Sequence, residues 1–193
     1  KIRDGSEAYV DREIGAMNPG VKIGETYMNW DQGSLRETDN TYDMAIQGNG
    51  FFAIKVVDKN GDSSIKYTRN GQFTITNEGY VVDVDGNRLQ GANGDVQVPV
   101  DATDVAIKLN GAVYANVEQV DTITLTDFED YNYLDLYGDN MYNAVDGATT
   151  KSSTATILQG FTEQSNVNVV DEMVSMITIT RANDAALKML KTE

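Results

Sequence analysis

The chain of 193 residues contains no cysteine and no histidine. No disulfide framework can be built, so stability must come from packing or from assembly. A Cys/His metal cluster, a cysteine nucleophile and a Ser-His-Asp triad are excluded as well. Any catalysis would fall to a carboxylate pair or a Ser–Lys arrangement, yet the acidic residues are scattered through turn segments with no close pair on an apolar background. Proline is scarce, 2 residues against 17 glycines, a balance that suits many tight turns. No run of apolar residues is long enough for a transmembrane helix, and no membrane insertion is expected. The opening KIRDGSEAYVDREIG is charged and lacks the apolar centre of a cleavable secretory signal. A first residue that is Lys and not Met suggests a piece of a longer chain.

Basic residues are also few: 15 Lys and Arg face 30 Asp and Glu, a formal net charge of −15. Nucleic acid is thereby disfavoured as a partner, because such binding depends on cations meeting phosphates, and anionic membrane surfaces are disfavoured for the same reason. The acidity reads as a soluble surface or as patches that register subunits in an assembly. The length allows one domain, or one domain with an appendage, and is enough to bury a core. No cofactor and no metal is implied.

What the sequence does contain is a series of short β-type runs from Asp43 to Gly91. Phe51–Val57 is aromatic and branched, 58–63 (DKNGDS) turns, and 64–69 alternates. Asn70-Gly71 is a hairpin signal, 72–76 alternates, Asn77-Glu78-Gly79 turns, 80–84 runs, and Asp85-Gly86 turns again. Asn-Gly and Asp-Gly accept the positive φ of type I′ turns, so Gly71 and Gly86 are expected there. The pattern is a β-meander, with Phe51, Phe52, Ile54, Tyr67, Phe73, Ile75 and Val81 expected in one core. Its acidic turns at 58–62 and 83–87 fail the calcium-loop spacing: the glycine comes too early, and Tyr67 or Ala92 stands where a Glu is required.

Strand patterning continues beyond Gly91. Residues 104–109 lead through Asn110-Gly111 into 112–116, and 117–128 alternates with Val120, Ile123, Leu125 and Phe128 as core candidates. Leu134, Leu136 and Tyr137 anchor the Asp-, Asn- and Tyr-rich stretch that follows, and 146–153 reads as a linker of small residues. Upstream, 21–30 alternates loosely as an extended strand and 36–42 is polar linker.

The period changes at the C-terminus. Val169, Val170, Met173, Val174, Met176, Ile177, Leu187 and Leu190 recur at spacings of three and four, giving one broad apolar helical face. Asn168 with Asp171 forms a capping arrangement, Asp171 and Glu172 suit the first turn, and Lys188 and Lys191 suit the last. No other segment offers a matching helical period, so this face calls for a partner. The fold class is therefore mainly β: a hairpin-rich meander domain with an extended N-terminal segment and a C-terminal amphipathic α-helix. The divisions are an extended region 1–42, a β-rich core 43–145, a return segment 146–168 and the helix 169–193.

Asp43, Ala45-Ile46, Gly48, Gly50-Phe51-Phe52, Tyr67-Thr68-Arg69, Gly71, Phe73, Gly79 and Gly86 together resemble the shared β-core of the flagellar basal-body rod and hook family. Gln32, Gly33, Leu35 and Thr38 resemble the segment leading into that core, and Leu136, Gly138, Asn140 and Tyr142 a stretch that follows it. A second match, Gly160-Phe161, Glu163, Ser165-Asn166-Val167, Val169-Val170, Glu172-Met173, Met176-Ile177 and Arg181-Ala182, resembles the family's C-terminal signature. Thr162, Asn183 and Asp184 depart from that signature, where Leu, an aromatic and Glu are usual.

The resemblance implies a structural subunit without catalytic residues, one that forms a helical homopolymer and joins other rod and hook subunits. It further implies a flagellar location outside the cytoplasm, reached through flagellar export without a cleaved signal, with the helix face 169–190 as the self-assembly element. Two alternatives stand beside the rod reading: a flagellar hook protein, and an extracellular β-rich binding or adhesive module. An adhesive module has no use for an unpartnered amphipathic helix.

Overall fold

The computed structural model describes residues 28–58 and 61–190, in which seventeen short strands precede a single α-helix. β1 (Leu35–Glu37) and β2 (Met44–Gln47) lead into β3 (Phe51–Val57), the longest strand. β4 (Ser63–Thr68) returns along β3 with Phe52 opposite Thr68 and Lys55 opposite Ile65. The meander closes through β5 (Thr74–Ile75), β6 (Val81–Val82), β7 (Arg88–Gly91) and β8 (Gly94–Asp95). Leu89 of β7 lies opposite Ile54 on the other edge of β3.

Beyond the meander, β9 (Val105–Ile107), β10 (Ala112–Ala115) and β11 (Glu118–Thr122) form a three-stranded sheet. The alternating run 117–128 breaks after Thr122, where Ile123 bridges Gly91, and resumes as β12 (Leu125–Phe128), which pairs back onto β3. After a 3-10 turn at Tyr131–Tyr133, β13 (Leu134–Tyr137) and β14 (Met141–Ala144) extend the main sheet past β4. β15 (Thr150–Ser152) pairs with β12, β16 (Thr156–Gln159) with β2, and β17 (Phe161–Glu163) with β1. The segments read as linkers at 36–42 and 146–153 thus contribute strands β1 and β15. The extended strand expected over 21–30 lies outside the described residues except for Met28–Trp30, which have no regular structure.

The expected single core is divided between two faces. Phe52, Ile54, Phe73 and Val81 pack with Met44, Ile46, Leu89, Val96 and Ile157, and Ile75 lies against them half-buried. Phe51 is equally buried, but neighbours on a strand point to opposite faces. Its ring meets Phe128 at 6.0 Å, Tyr131 at 5.8 Å and Tyr142 at 5.7 Å, all edge-on, while Tyr67 meets Phe128 at 4.9 Å. The Tyr131 hydroxyl donates to Asp127 at 2.7 Å; burial first, then this bond and the carboxylate charge, push the phenol up to about 12. Burial pushes the Asp127 carboxyl upward, but bonds from Tyr131, the Phe128 N–H and Lys151 outweigh it and hold the group below its usual range.

Two sequence readings are corrected. Gly86 has φ 86° as a turn glycine should, but Gly71 is not in the positive-φ region. Gly71 sits buried where β2 crosses it: its carbonyl accepts from Met44 N at 2.9 Å, and a Cβ would stand 1.5 Å from the Met44 carbonyl oxygen. Close approach of backbones, not a turn angle, is what requires glycine there. Of the three anchors expected after β12, Leu134 is buried, whereas Leu136 and Tyr137 lie exposed on the outermost strand of the sheet.

Candidate assembly helix and its neck

The helix α1 (Val169–Leu190) begins at Asn168, whose side-chain oxygen accepts from Val170 N at 3.1 Å and whose amide donates to Asp171 at 2.8 Å. One orphan N–H of the first turn is thereby engaged and the cap side chain is held by Asp171, and Asp171 and Glu172 stand where the helix dipole favours negative charge. Lys188 lies in the last turn. Thr178 and Thr180 sit mid-helix with their hydroxyls donating to the Val174 and Met176 carbonyls, at 2.9 and 2.8 Å. These bonds satisfy the two hydroxyls within the helix itself.

From Val169 to Met189 every residue of α1 is exposed. Met173 is 54% exposed, Ile177 52% and Leu187 48%, and Val169, Val170, Val174 and Met176 are more exposed still. Leu190 is the last residue of the helix. A monomer gains nothing by leaving such side chains in water, since burying each contributes about 1.5–3 kcal/mol. Among the described residues no helix is long and apolar enough to cross a membrane.

The helix joins the β domain through a neck made of β1, β17 and their flanks. Leu35 pairs with Glu163 and Glu37 with Phe161. Gln164 N donates to the Ser34 carbonyl at 2.9 Å, and the Asn166 amide donates to the Asp31 carbonyl at 2.8 Å. Ser165 accepts from Val167 N at 3.2 Å, Val167 is exposed, and Glu172 N donates to the Asn168 carbonyl at 3.1 Å.

Part of the family motif converges on this neck. The Arg69 guanidinium donates from Nε to Glu163 at 2.9 Å, and from Nη1 to the Gly48 and Gly50 carbonyls at 3.1 and 3.0 Å. The other Glu163 oxygen accepts from Gly33 N at 3.0 Å. Gln32 donates to the Ile46 carbonyl at 2.6 Å and accepts from Gly48 N at 3.2 Å. Thr68 is buried beside Arg69; its hydroxyl donates to the Asn140 carbonyl at 2.6 Å and accepts from Asn70 N at 3.0 Å. Phe51, Phe52, Tyr67, Gly71 and Phe73 serve the two cores instead. The arrangement holds two chain segments together at the base of the exposed helix. The sequence marked Arg69 and Glu163 as motif residues only, with no signal that the two touch.

Comparison with known proteins meets the geometry at these two places. Residues 45–115 match the family described as flagellar hook protein FlgE/F/G D1 domain, and residues 158–193 match the flagellar basal body rod FlgEFG protein C-terminal family. The chain is 33% identical over 186 residues to the flagellar basal-body rod protein FlgG of Caulobacter vibrioides, covering 90% of this chain and 68% of the relative. The chain belongs to the flagellar basal-body rod protein family. It is also similar to the rod protein FlgG of Buchnera aphidicola subsp. Schizaphis graminum, 29% identical over 91% of this chain and 70% of the relative. The rod protein FlgF of Caulobacter vibrioides is 34% identical over 84% of this chain and 65% of its own length. These relatives are rod proteins, so the hook alternative is not favoured; a free adhesive module has no support among them either.

Proposed function

We propose that this rod-family chain is a non-catalytic structural subunit that polymerises through α1 into the axial shaft of the flagellum. In this reading the shaft carries torque from motor to hook. The observation that supports it is a capped 22-residue helix whose apolar side chains from Val169 to Met189 are exposed, carried on a braced neck. Copies of the chain and other flagellar rod and hook subunits supply the cover, with the β domain facing outward. In this reading the subunit leaves the cytoplasm through flagellar export and resides in the basal body. The acidic surface lets subunits stay soluble until they meet the growing end.

Replacing Met173 by Glu or Ile177 by Lys tests this directly. Both side chains touch no buried core, so the β domain keeps its thermal midpoint, while a charge in the apolar stripe abolishes rod assembly and swimming. Normal assembly by either variant, or unfolding of the β domain, would remove α1 as the polymerisation element.

A further inference from the structure

We propose that Arg69 is the positioning residue that sets the direction in which α1 leaves the β domain. The proposal concerns the isolated chain and rests on the rod reading only for its consequence in the cell. Three observations lead to it. No residue of α1 from Val169 to Met189 is buried, so packing of the helix on the sheets does not orient it. The neck is a two-stranded ribbon separate from the other sheets, and such a ribbon is marginal without bracing. Of the four ion pairs among the described residues, Arg69–Glu163 alone ties this ribbon to the meander.

The chemistry of the brace is directional. A planar guanidinium reaches three acceptors on two segments at once: the Glu163 carboxylate on β17, and the Gly48 and Gly50 carbonyls between β2 and β3. Both side chains are largely shielded, 19% and 11% exposed, so the pair keeps its strength better than a surface ion pair. Glu163 passes the constraint to Gly33 through its second oxygen. Arg69 Nη2 is buried with no hydrogen-bond partner among the described residues. An unmatched buried donor costs stability, so the arrangement favours geometry over stability. Lysine offers a point charge on a flexible stem and cannot hold three such acceptors in one plane.

The absence of cysteine allows a clean measurement on the full chain. Ser64→Cys on β4 and Ser175→Cys on α1, both exposed positions, carry spin labels whose distance distribution reports the helix direction. The unaltered brace gives one narrow distribution. Arg69→Lys broadens it about twofold, because the neck opens locally while the meander stays closed. Since removing one partner of a shielded pair can unfold a protein, the double variant Arg69→Met with Glu163→Leu is measured beside it; an apolar pair of similar volume restores stability. Recovery of the β-domain midpoint in the double variant without recovery of the narrow distribution supports a positioning role. A distribution already broad with Arg69 in place, or one equally narrow in both variants, overturns the proposal. Failure of the chain labelled at Ser64 alone to enter rods would count against the rod reading and leave the distance result standing.

Discussion

Phe52→Ala probes the packing that carries the meander. Phe52 has 0% of its surface exposed and meets Phe73 edge-on, with ring centroids 5.3 Å apart and planes at 89°. It belongs to the hydrophobic core cluster, paired with Thr68 on one side and Leu125 on the other. Truncating a buried phenylalanine costs about 3–5 kcal/mol, and loss of an edge-to-face aromatic pair keeps this site at or above the middle of that range, about 4 kcal/mol. At this chain size that corresponds to a fall in Tm of roughly 8–16 °C. Urea unfolding followed by tyrosine fluorescence reads the β domain, with the slope expected unchanged and only the midpoint displaced. Leu136→Ala, at a site 54% exposed, provides the contrast and should change stability by no more than about 0.5 kcal/mol. A loss below about 1 kcal/mol for Phe52→Ala would refute the reasoning, because burial alone demands more.

Gly71→Ala should destabilise far more than Gly86→Ala by the same urea assay: the first puts a Cβ against the Met44 carbonyl, whereas the second faces open space and bears only the cost of its φ of 86°, about 1–2 kcal/mol. Equal losses would show that the crossing of β2 over Gly71 is misplaced. Asn168→Ala removes the cap and should cost about 1 kcal/mol of helix stability, read as lower ellipticity at the helical minimum with the β-domain midpoint unchanged. Stability should also fall as pH rises through the window between the ordinary phenol value, about 10, and the folded Tyr131 value of about 12. There the unfolded chain has lost a proton that the folded chain keeps. Tyr131→Phe should flatten this alkaline limb but not abolish it, because burial also raises Tyr42, Tyr67 and Tyr142. On the acid side Asp127 works oppositely: its folded value is depressed, so its stabilisation is present above the unfolded carboxyl value and is lost as pH falls through the folded one.

Local chemistry made much of this legible. Asn110-Gly111 forms the hairpin its composition announces, with Gly111 at φ 83° between β9 and β10, and Asn168 caps the helix where the periodicity begins. Asn70-Gly71 carries the same dipeptide signal and does something else, because its constraint comes from β2 crossing overhead. That contact joins residues distant in sequence and leaves no mark on the neighbouring pattern. The neck is hidden for the same reason: Gly33 and Glu163 are 130 residues apart, and β1 is only three residues long, too short to show a period. The division of Phe51 from Phe52 was readable in principle, since a strand period of two sends adjacent side chains to opposite faces.

Deleting this chain from its bacterium and recovering the basal bodies tests the central claim most directly. A structural rod subunit predicts non-motile cells whose basal bodies stop short of a hook, with rod and swimming restored by the unaltered chain and not by Ile177→Lys. Basal bodies with complete rods and hooks in the deletion strain would contradict it.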